Sequence, residues 1–248
     1  MKIIILCKRQ PQQKDLWETP YGRFYYLAKH LAEHGNEVHL MLLNYRRESE
    51  FQASRDGITW YSINLLPNPF KFYLSAKQIA MRIDADWIVG FSDTYFGIAA
   101  QSLAKRLKKR SLIDAYDNYE SYLPYLFPLH WLWRRALKNS SAITAAGPGL
   151  LNLMCAGETK PQTAVIEMCA DPNFTPGSRA ASRETLGLPA NEKIVAYSGS
   201  LYQSRGVSEL FALICMLSAS NPEIQWVISG RIEPRLKLPS NVHHLGYI

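Results

Sequence analysis

The sequence predicts an α/β protein built on two doubly wound parallel sheets, the second one incomplete, and three observations carry that prediction. Short apolar runs without a helical period, such as Ile3-Ile4-Ile5-Leu6, recur between segments whose apolar residues are spaced three and four apart. A turn-rich break, Ala170-Asp171-Pro172-Asn173-Phe174-Thr175-Pro176-Gly177, interrupts this alternation. Beyond it a second β-α-β series starts at Lys193. The expected organisation is a first domain over residues 1–170, a linker and start of the second domain over 171–192, and a partial second domain over 193–248.

Each element follows in order. Residues 3–6 form a buried strand, and the polar stretch 8–20 is too long for a tight strand-to-helix turn, so a functional or flexible loop is expected there. From Gly22 onward, Phe24, Leu27, Ala28 and Leu31 recur at helical spacing until Gly35-Asn36 stops the helix before a strand at 38–43. Further strands are predicted at 58–63, 87–91, 112–115, 142–145 and 164–166, and helices at 75–83, 97–107, 131–138 and 150–156. In the second domain the pattern gives a short helix at 182–186, strands at 194–198, 224–229 and 242–245, and a helix at 207–219. So few elements bury little surface, which is why the second sheet reads as incomplete.

Of the 248 residues, 47% are hydrophobic and 20% charged, the balance of a globular chain rather than a disordered one. The net charge of +7 favours acidic partners, and before residue 175 the chain has 21 Lys and Arg against 16 Asp and Glu. Cys7, Cys155, Cys169 and Cys215 form no C-x-x-C pair, so free thiols in a reducing compartment are expected in place of a zinc or redox motif. The apolar run after Met1-Lys2 is broken by Lys8 and Arg9, too early for a signal core or a membrane span, and a soluble cytoplasmic protein is expected. The six histidines lack metal-ligand spacing, and His243 and His244 on one strand would point to opposite faces, so no metal is expected.

The segment from Tyr122 to Lys138 supports two readings. Its Tyr, Phe and Trp residues with Arg134, Arg135 and Lys138 suit peripheral contact with the inner face of an anionic membrane, helped by the run Lys105-Arg106 and Lys108-Lys109-Arg110. The other reading is a core helix with a solvated basic face. No nucleic-acid module is recognised, so a nucleic-acid partner rests on net charge alone and is not expected.

The loop Gly199-Ser200-Leu201-Tyr202-Gln203-Ser204-Arg205-Gly206 carries the most chemistry. It joins an apolar strand to a helix on which Leu210, Phe211, Ile214 and Leu217 form one stripe. Such a loop presents unpaired backbone N–H groups and the positive end of a helix to an anion. Arg205 adds a forked donor suited to phosphate. The spacing is neither G-x-G-x-x-G nor that of a P-loop, and an ordinary strand-to-helix turn with a solvated Arg is the plainer alternative. Asp93, Asp117 and Glu120 follow strands where a doubly wound sheet opens its crevice. Each either hydrogen-bonds a ligand in that crevice or only caps a helix.

These residues resemble the GT-B glycosyltransferases of the retaining family 4 (glycosyl transferases group 1). Gly199, Leu201, Arg205 and Gly206 match that group's G-x-L followed by a basic residue and glycine. Val165-Ile166 with Asp171, Phe174 and Pro176 is similar to its passage into the second domain. Residues 23–38, RFYYLAKHLAEHGNEV, look like the first helix and turn of its acceptor domain, and Ile228-Ser229-Gly230 and Val242 to Gly246 resemble its next strand ends. The resemblance runs in order over nearly the whole chain. It implies two Rossmann-like domains, the first for the acceptor, with a nucleotide sugar in the cleft between them and mostly on the second. It further implies a hexosyltransferase that moves a sugar from a UDP- or GDP-sugar to a lipid-linked or polysaccharide acceptor, as in lipopolysaccharide biosynthesis, with retention and with no metal or other cofactor. Arg205 and Asp117 would be catalytic. Gly199, Ser200, Arg205, Gly206, Gly230 and Arg231 would bind the nucleotide sugar, and Gly22, Asp93, Tyr116 and Glu120 would touch acceptor or sugar.

Three departures from the family pattern set an alternative beside this. The family's Lys falls at Arg205, which keeps the charge, whereas its Arg falls at Ser200, which does not. Losing one charge-assisted contact costs about 1.5–3 kcal/mol, on the order of tenfold to a hundredfold in rate. Tyr116 stands where many members have His before the residue matching Asp117. The family's two glutamates seven residues apart belong beyond Ile248, so the alternative is a C-terminally truncated or degenerate member that binds a ligand or partner without turnover.

Overall fold

The computed structural model describes residues 1–91, 93–122, 125–155, 162–172, 174–203, 206–233, 237–239 and 241–247. The chain divides into two compact units, Met1–Asn173 and Phe174–Ile248. The strands of the first are β1 (Lys2–Lys8), β2 (Glu37–Asn44), β3 (Phe51–Arg55), β4 (Ile58–Asn64), β5 (Trp87–Gly90), β6 (Arg110–Ala115), β7 (Ala142–Ala145) and β8 (Thr163–Val165). Its helices are α1 (Gly22–Glu33), α2 (Lys71–Arg82), α3 (Thr94–Leu107), α4 (Phe127–Asn139) and α5 (Pro148–Cys155). The strands lie in the order β3-β4-β2-β1-β5-β6-β7-β8, all parallel except β3 against β4.

Both faces of this sheet are covered, which is why its central strands read as unbroken apolar runs. Ile4, Leu6, Met41 and Ile88 share one core with Phe72 and Ala76 of α2 and Phe96 and Leu103 of α3. Ile3, Ile5, Leu40 and Val89, the alternate residues of the same strands, share another with Phe24, Tyr25 and Ala28 of α1. The third core joins Ile113 and Ile143 to Trp133, Ala136 and Leu137 of α4 and Met154 of α5. From β1 the chain builds outward through β2 and β4 on one side, then returns to β5 and builds through β8 on the other. That reversal puts a topological switch point, and with it a crevice, at the C-terminal ends of β1 and β5.

Some elements differ from the expectation. The antiparallel β3 has one strongly apolar residue, Phe51, and half-buried edge geometry, so its sequence lacked a strand signal. Helix α4 begins at Phe127 rather than 131, because Pro128 sits in its first turn, where no intrahelical N–H is needed. The stretch 8–20 is not an open loop. Arg9 pins it through Asp15 at 2.8 Å and Glu48 at 2.9 Å, and Leu16 is fully buried.

The second unit contains α6 (Arg179–Thr185), β9 (Lys193–Ser198), α7 (Val207–Ser220), β10 (Ile224–Ser229) and β11 (Val242–His244). Its parallel sheet has the order β11-β10-β9. Leu201, Val207, Ile214, Trp226 and Ile228 form its core. Among the described residues no helix is long and apolar enough to cross a membrane.

Candidate functional site

The crevice over β1 and β5 gathers Lys8, Tyr45, Asp93, Tyr95 and Tyr116. Asp93 is the N-cap of α3, its carboxylate accepting from the Tyr95 N–H at 3.0 Å. Burial raises its pKa above the usual carboxylate value, against the lowering pull of that N–H and of Lys8. The Lys8 ammonium lies 5.1 Å over the Tyr45 ring. The phenols of Tyr45, Tyr95 and Tyr116 are all pushed upward, first by burial and then by acids, Asp93 for the first two and Asp117 for the third. They therefore stay as neutral O–H groups that both donate and accept. A half-buried carboxylate among neutral phenols and one ammonium is suited to a polyhydroxylated ligand.

Helix α1 positions this edge. Its Phe24 stands edge-on to Tyr116 at 5.3 Å and 5.9 Å from Phe91. Arg23 is clamped by Asp114 of β6, Nε to Oδ2 at 2.9 Å and Nη2 to Oδ1 at 2.6 Å, while the Thr144 hydroxyl donates to Oδ1 at 2.6 Å. Arg23 also donates to the Ile166 carbonyl. The pair is buried and bidentate, so it fixes α1 to β6 and β7 with a defined orientation. A cavity of about 470 Å³ runs between α1 and residues 166–172, bordered by Gly22, Arg23, Tyr26 and Met168.

In the second unit the C-terminal ends of β9 and β10 meet through backbone. The Gly199 N–H donates to the Ser229 carbonyl at 2.9 Å, and the Leu201 N–H to the Arg231 carbonyl at 2.8 Å. Gly230 has φ +131°, and a Cβ there would fall 2.0 Å from the Gly199 oxygen, so only glycine fits. Gly206 is the N-cap of α7, with φ +71° and no side-chain cap among the described residues; the positive helix pole lies at that end, with the first-turn Glu209 beside it. The Arg231 guanidinium lies 4.8 Å over the Tyr247 ring. A backbone-lined seam beside an uncapped helix start can admit a flat or anionic ligand.

Of the residues singled out from the sequence, Asp93 and Tyr116 meet at the crevice, and Gly22 borders the cavity beside it. Asp117 is exposed, accepting from the Asn118 N–H at 2.8 Å and from the Tyr122 hydroxyl. Glu120 is held by Arg134 of α4, Oε1 to Nε at 2.6 Å, which commits its carboxylate to joining that loop to the helix. Gly199, Ser200, Gly206, Gly230 and Arg231 belong to the strand ends and helix start of the second unit. Arg205 lies outside the described residues. Sequence reasoning missed Lys8, Tyr45, Tyr95 and the Arg23–Asp114 clamp. Asp114 had a signal, since a carboxylate inside the apolar run Leu112-Ile113-Asp114-Ala115 needs a buried partner. Tyr45 and Tyr95 had none, because only strand order brings them together.

The family described as Glycosyltransferase Family 4 matches residues 23–174, more than half of the chain. Similar solved structures include sucrose-phosphate synthase from Thermosynechococcus elongatus, with TM-score 0.73 and 15% identity, and Anabaena HepE in complex with UDP, with TM-score 0.69 and 16% identity. Each likeness covers 100% of this chain and 70% of the other. Anabaena HepE in complex with UDP-glucose gives TM-score 0.66 at 16% identity, over 100% of this chain and 69% of that one. No curated protein sequence matches the chain. At such identities the likeness to solved structures is one of fold, and the fold is GT-B.

Proposed function

The chain belongs to Glycosyltransferase Family 4, and from that premise we propose that it moves a sugar from a UDP-sugar to a lipid-linked or polysaccharide acceptor, with retention and without a metal, at the inner face of the cell membrane. The first unit serves as the acceptor domain and the second as the donor domain. One observation carries the donor assignment: the Gly199–Gly230 seam beside the uncapped start of α7. There the nucleotide can lie against backbone, and the diphosphate meets N–H groups as its bond to the sugar breaks. Arg205 balances the charge that develops on that leaving group. UDP is the favoured nucleotide because the HepE structures hold UDP and UDP-glucose. At the first unit, the neutral phenols and Asp93 receive the acceptor hydroxyls, and Asp117 stands at the same sheet edge.

Ser200, in place of the family's second cation, favours a slow enzyme, and it also supports the second reading of a binding protein without turnover. Titration calorimetry with UDP, UDP-glucose and GDP tests the first step. Wild type should bind UDP, and Arg205→Ala should bind it on the order of tenfold or more weakly. Absence of nucleotide binding by the wild type overturns the proposal. Binding of UDP-glucose without release of UDP in the presence of glycan or lipid-linked acceptors selects the second reading.

A further inference from the structure

We propose that the outward face of α4, together with the C-terminal half of α3, is a docking surface for an anionic lipid bilayer; the purpose of this surface rests on the lipid-linked acceptor reading above, its existence does not. Trp133, Ala136 and Leu137 turn α4 inward. The opposite side is left with Phe127, Trp131 and Leu132, which are 73%, 60% and 42% exposed, and Tyr125 just before the helix is 88% exposed. Large apolar side chains exposed together on one helix face mark an interaction site rather than an ordinary surface.

Charge decides what the patch meets. Residues 94–113 and 121–139 hold eight Lys and Arg and no Asp or Glu. Lys109 and Arg134 are taken by Asp84 and Glu120. Lys105, Arg106 and Arg135 line a groove of about 460 Å³ between α3 and α4 that contains no carboxylate, and none of the three has an ion pair among the described residues. Aromatic rings at one end and cations along the other form the pattern of a headgroup-level contact, with Trp at the interface and Lys and Arg on anionic headgroups. A purely phosphate-bearing partner such as duplex DNA would leave Phe127, Trp131 and Leu132 in water.

The topology gives the surface a use. Helix α4 leads from the C-terminal end of β6 to the start of the parallel β7, so its first turn, with Phe127, lies at the sheet edge that carries Asp93 and Tyr116. A bilayer touching there presents a lipid-linked acceptor at the rim of the crevice.

Co-flotation of the full chain with vesicles tests this, using phosphatidylglycerol mixed with phosphatidylcholine against phosphatidylcholine alone, at low and high salt. Wild type should bind the anionic vesicles, lose binding as salt rises, and show a blue shift of Trp131 emission. Each of Lys105→Gln, Arg106→Gln and Arg135→Gln should lower partitioning about fivefold. The pair Phe127→Ser and Trp131→Ser should lower it while keeping the salt dependence. All five side chains are solvent-facing, and a thermal melt matching wild type keeps the comparison valid; a variant that fails it is set aside and the remaining variants decide. Failure of wild type to bind anionic vesicles, partitioning of the variants like wild type, or preference for duplex DNA that the Phe127→Ser, Trp131→Ser pair retains would each overturn the proposal. UDP calorimetry on the same preparations separates the two readings, since vesicle binding can fail while UDP binds and the reverse.

Discussion

At the residue scale, Asp93 and the Arg23–Asp114 clamp make opposite demands on charge. Asp93 caps α3 but is desolvated, and its pKa is raised in the folded chain. A carboxyl with a raised folded pKa adds stability that is full below its unfolded pKa and lost as pH rises through the folded value. Ionised Asp93 is therefore a liability at neutral pH. Asp93→Asn keeps the acceptor for the Tyr95 N–H and should be at least as stable as wild type at neutral pH, losing that advantage as pH falls below the carboxylate range. Asp93→Ala, without the cap, should lose about 1 kcal/mol. Urea denaturation across pH measures both, and an Asn variant weaker than wild type at neutral pH would show that the carboxylate's charge interactions with the first-turn N–H groups and Lys8 outweigh its desolvation. The clamp is the reverse case, since both charges are buried and satisfied. Removing one partner by Arg23→Met strands a charge and should cost about 3–5 kcal/mol, while the double change Arg23→Met, Asp114→Asn should recover part of it. Additive losses in the same denaturation experiment would mean that the two side chains are not coupled. These two partners are 91 positions apart, so no spacing in the sequence encodes them.

At the element scale, α3 and α4 are held by a contact that leaves no room. A Cβ on Gly97 would fall 2.5 Å from the Trp133 ring, and Trp133 is itself braced by Tyr119 at 5.8 Å. Gly97→Ala gains about 1 kcal/mol of helix propensity but overpacks a site that cannot yield, at about 1–3 kcal/mol. The net effect should be a modest destabilisation, read as a lower thermal midpoint with altered Trp fluorescence, and a variant more stable than wild type would place slack beside Trp133. The same elements show what the sequence could and could not tell. Strands such as β1 and β10, buried on both faces, were legible as apolar runs, and α1 ended at Gly35-Asn36 because that pair is a stop signal. The edge strand β3 was not, since Phe51-Gln52-Ala53-Ser54-Arg55 acquires its strand state from the neighbouring β4. The glycines at 199, 206 and 230 were legible as unusual positions. Why 230 must be glycine was not, because the reason is its close approach to the Gly199 carbonyl on another strand end.

At the scale of the whole molecule, the two units have very unequal cores. The first places Ile4, Ile5, Leu6, Leu40, Met41 and Trp60 at full burial. In the second, β9 is an edge strand whose Val195 is 43% exposed, and α7 fully buries only Val207 and Ile214. Since cooperative unfolding follows the core that each unit buries, calorimetry should resolve two transitions, with the second unit melting first. The donor proposal then makes a sharper claim. A ligand that binds one native unit raises that unit's stability by RT ln(1 + [L]/Kd), about 2.7 kcal/mol at a hundredfold excess over Kd. UDP should therefore raise the lower transition and leave the upper one where it is, and Gly230→Ala, which forces the seam apart, should lower that same transition and abolish its response to UDP. A single cooperative transition would contradict the two-core account, whereas two transitions of which UDP moves only the upper would keep that account and transfer the donor site to the first unit.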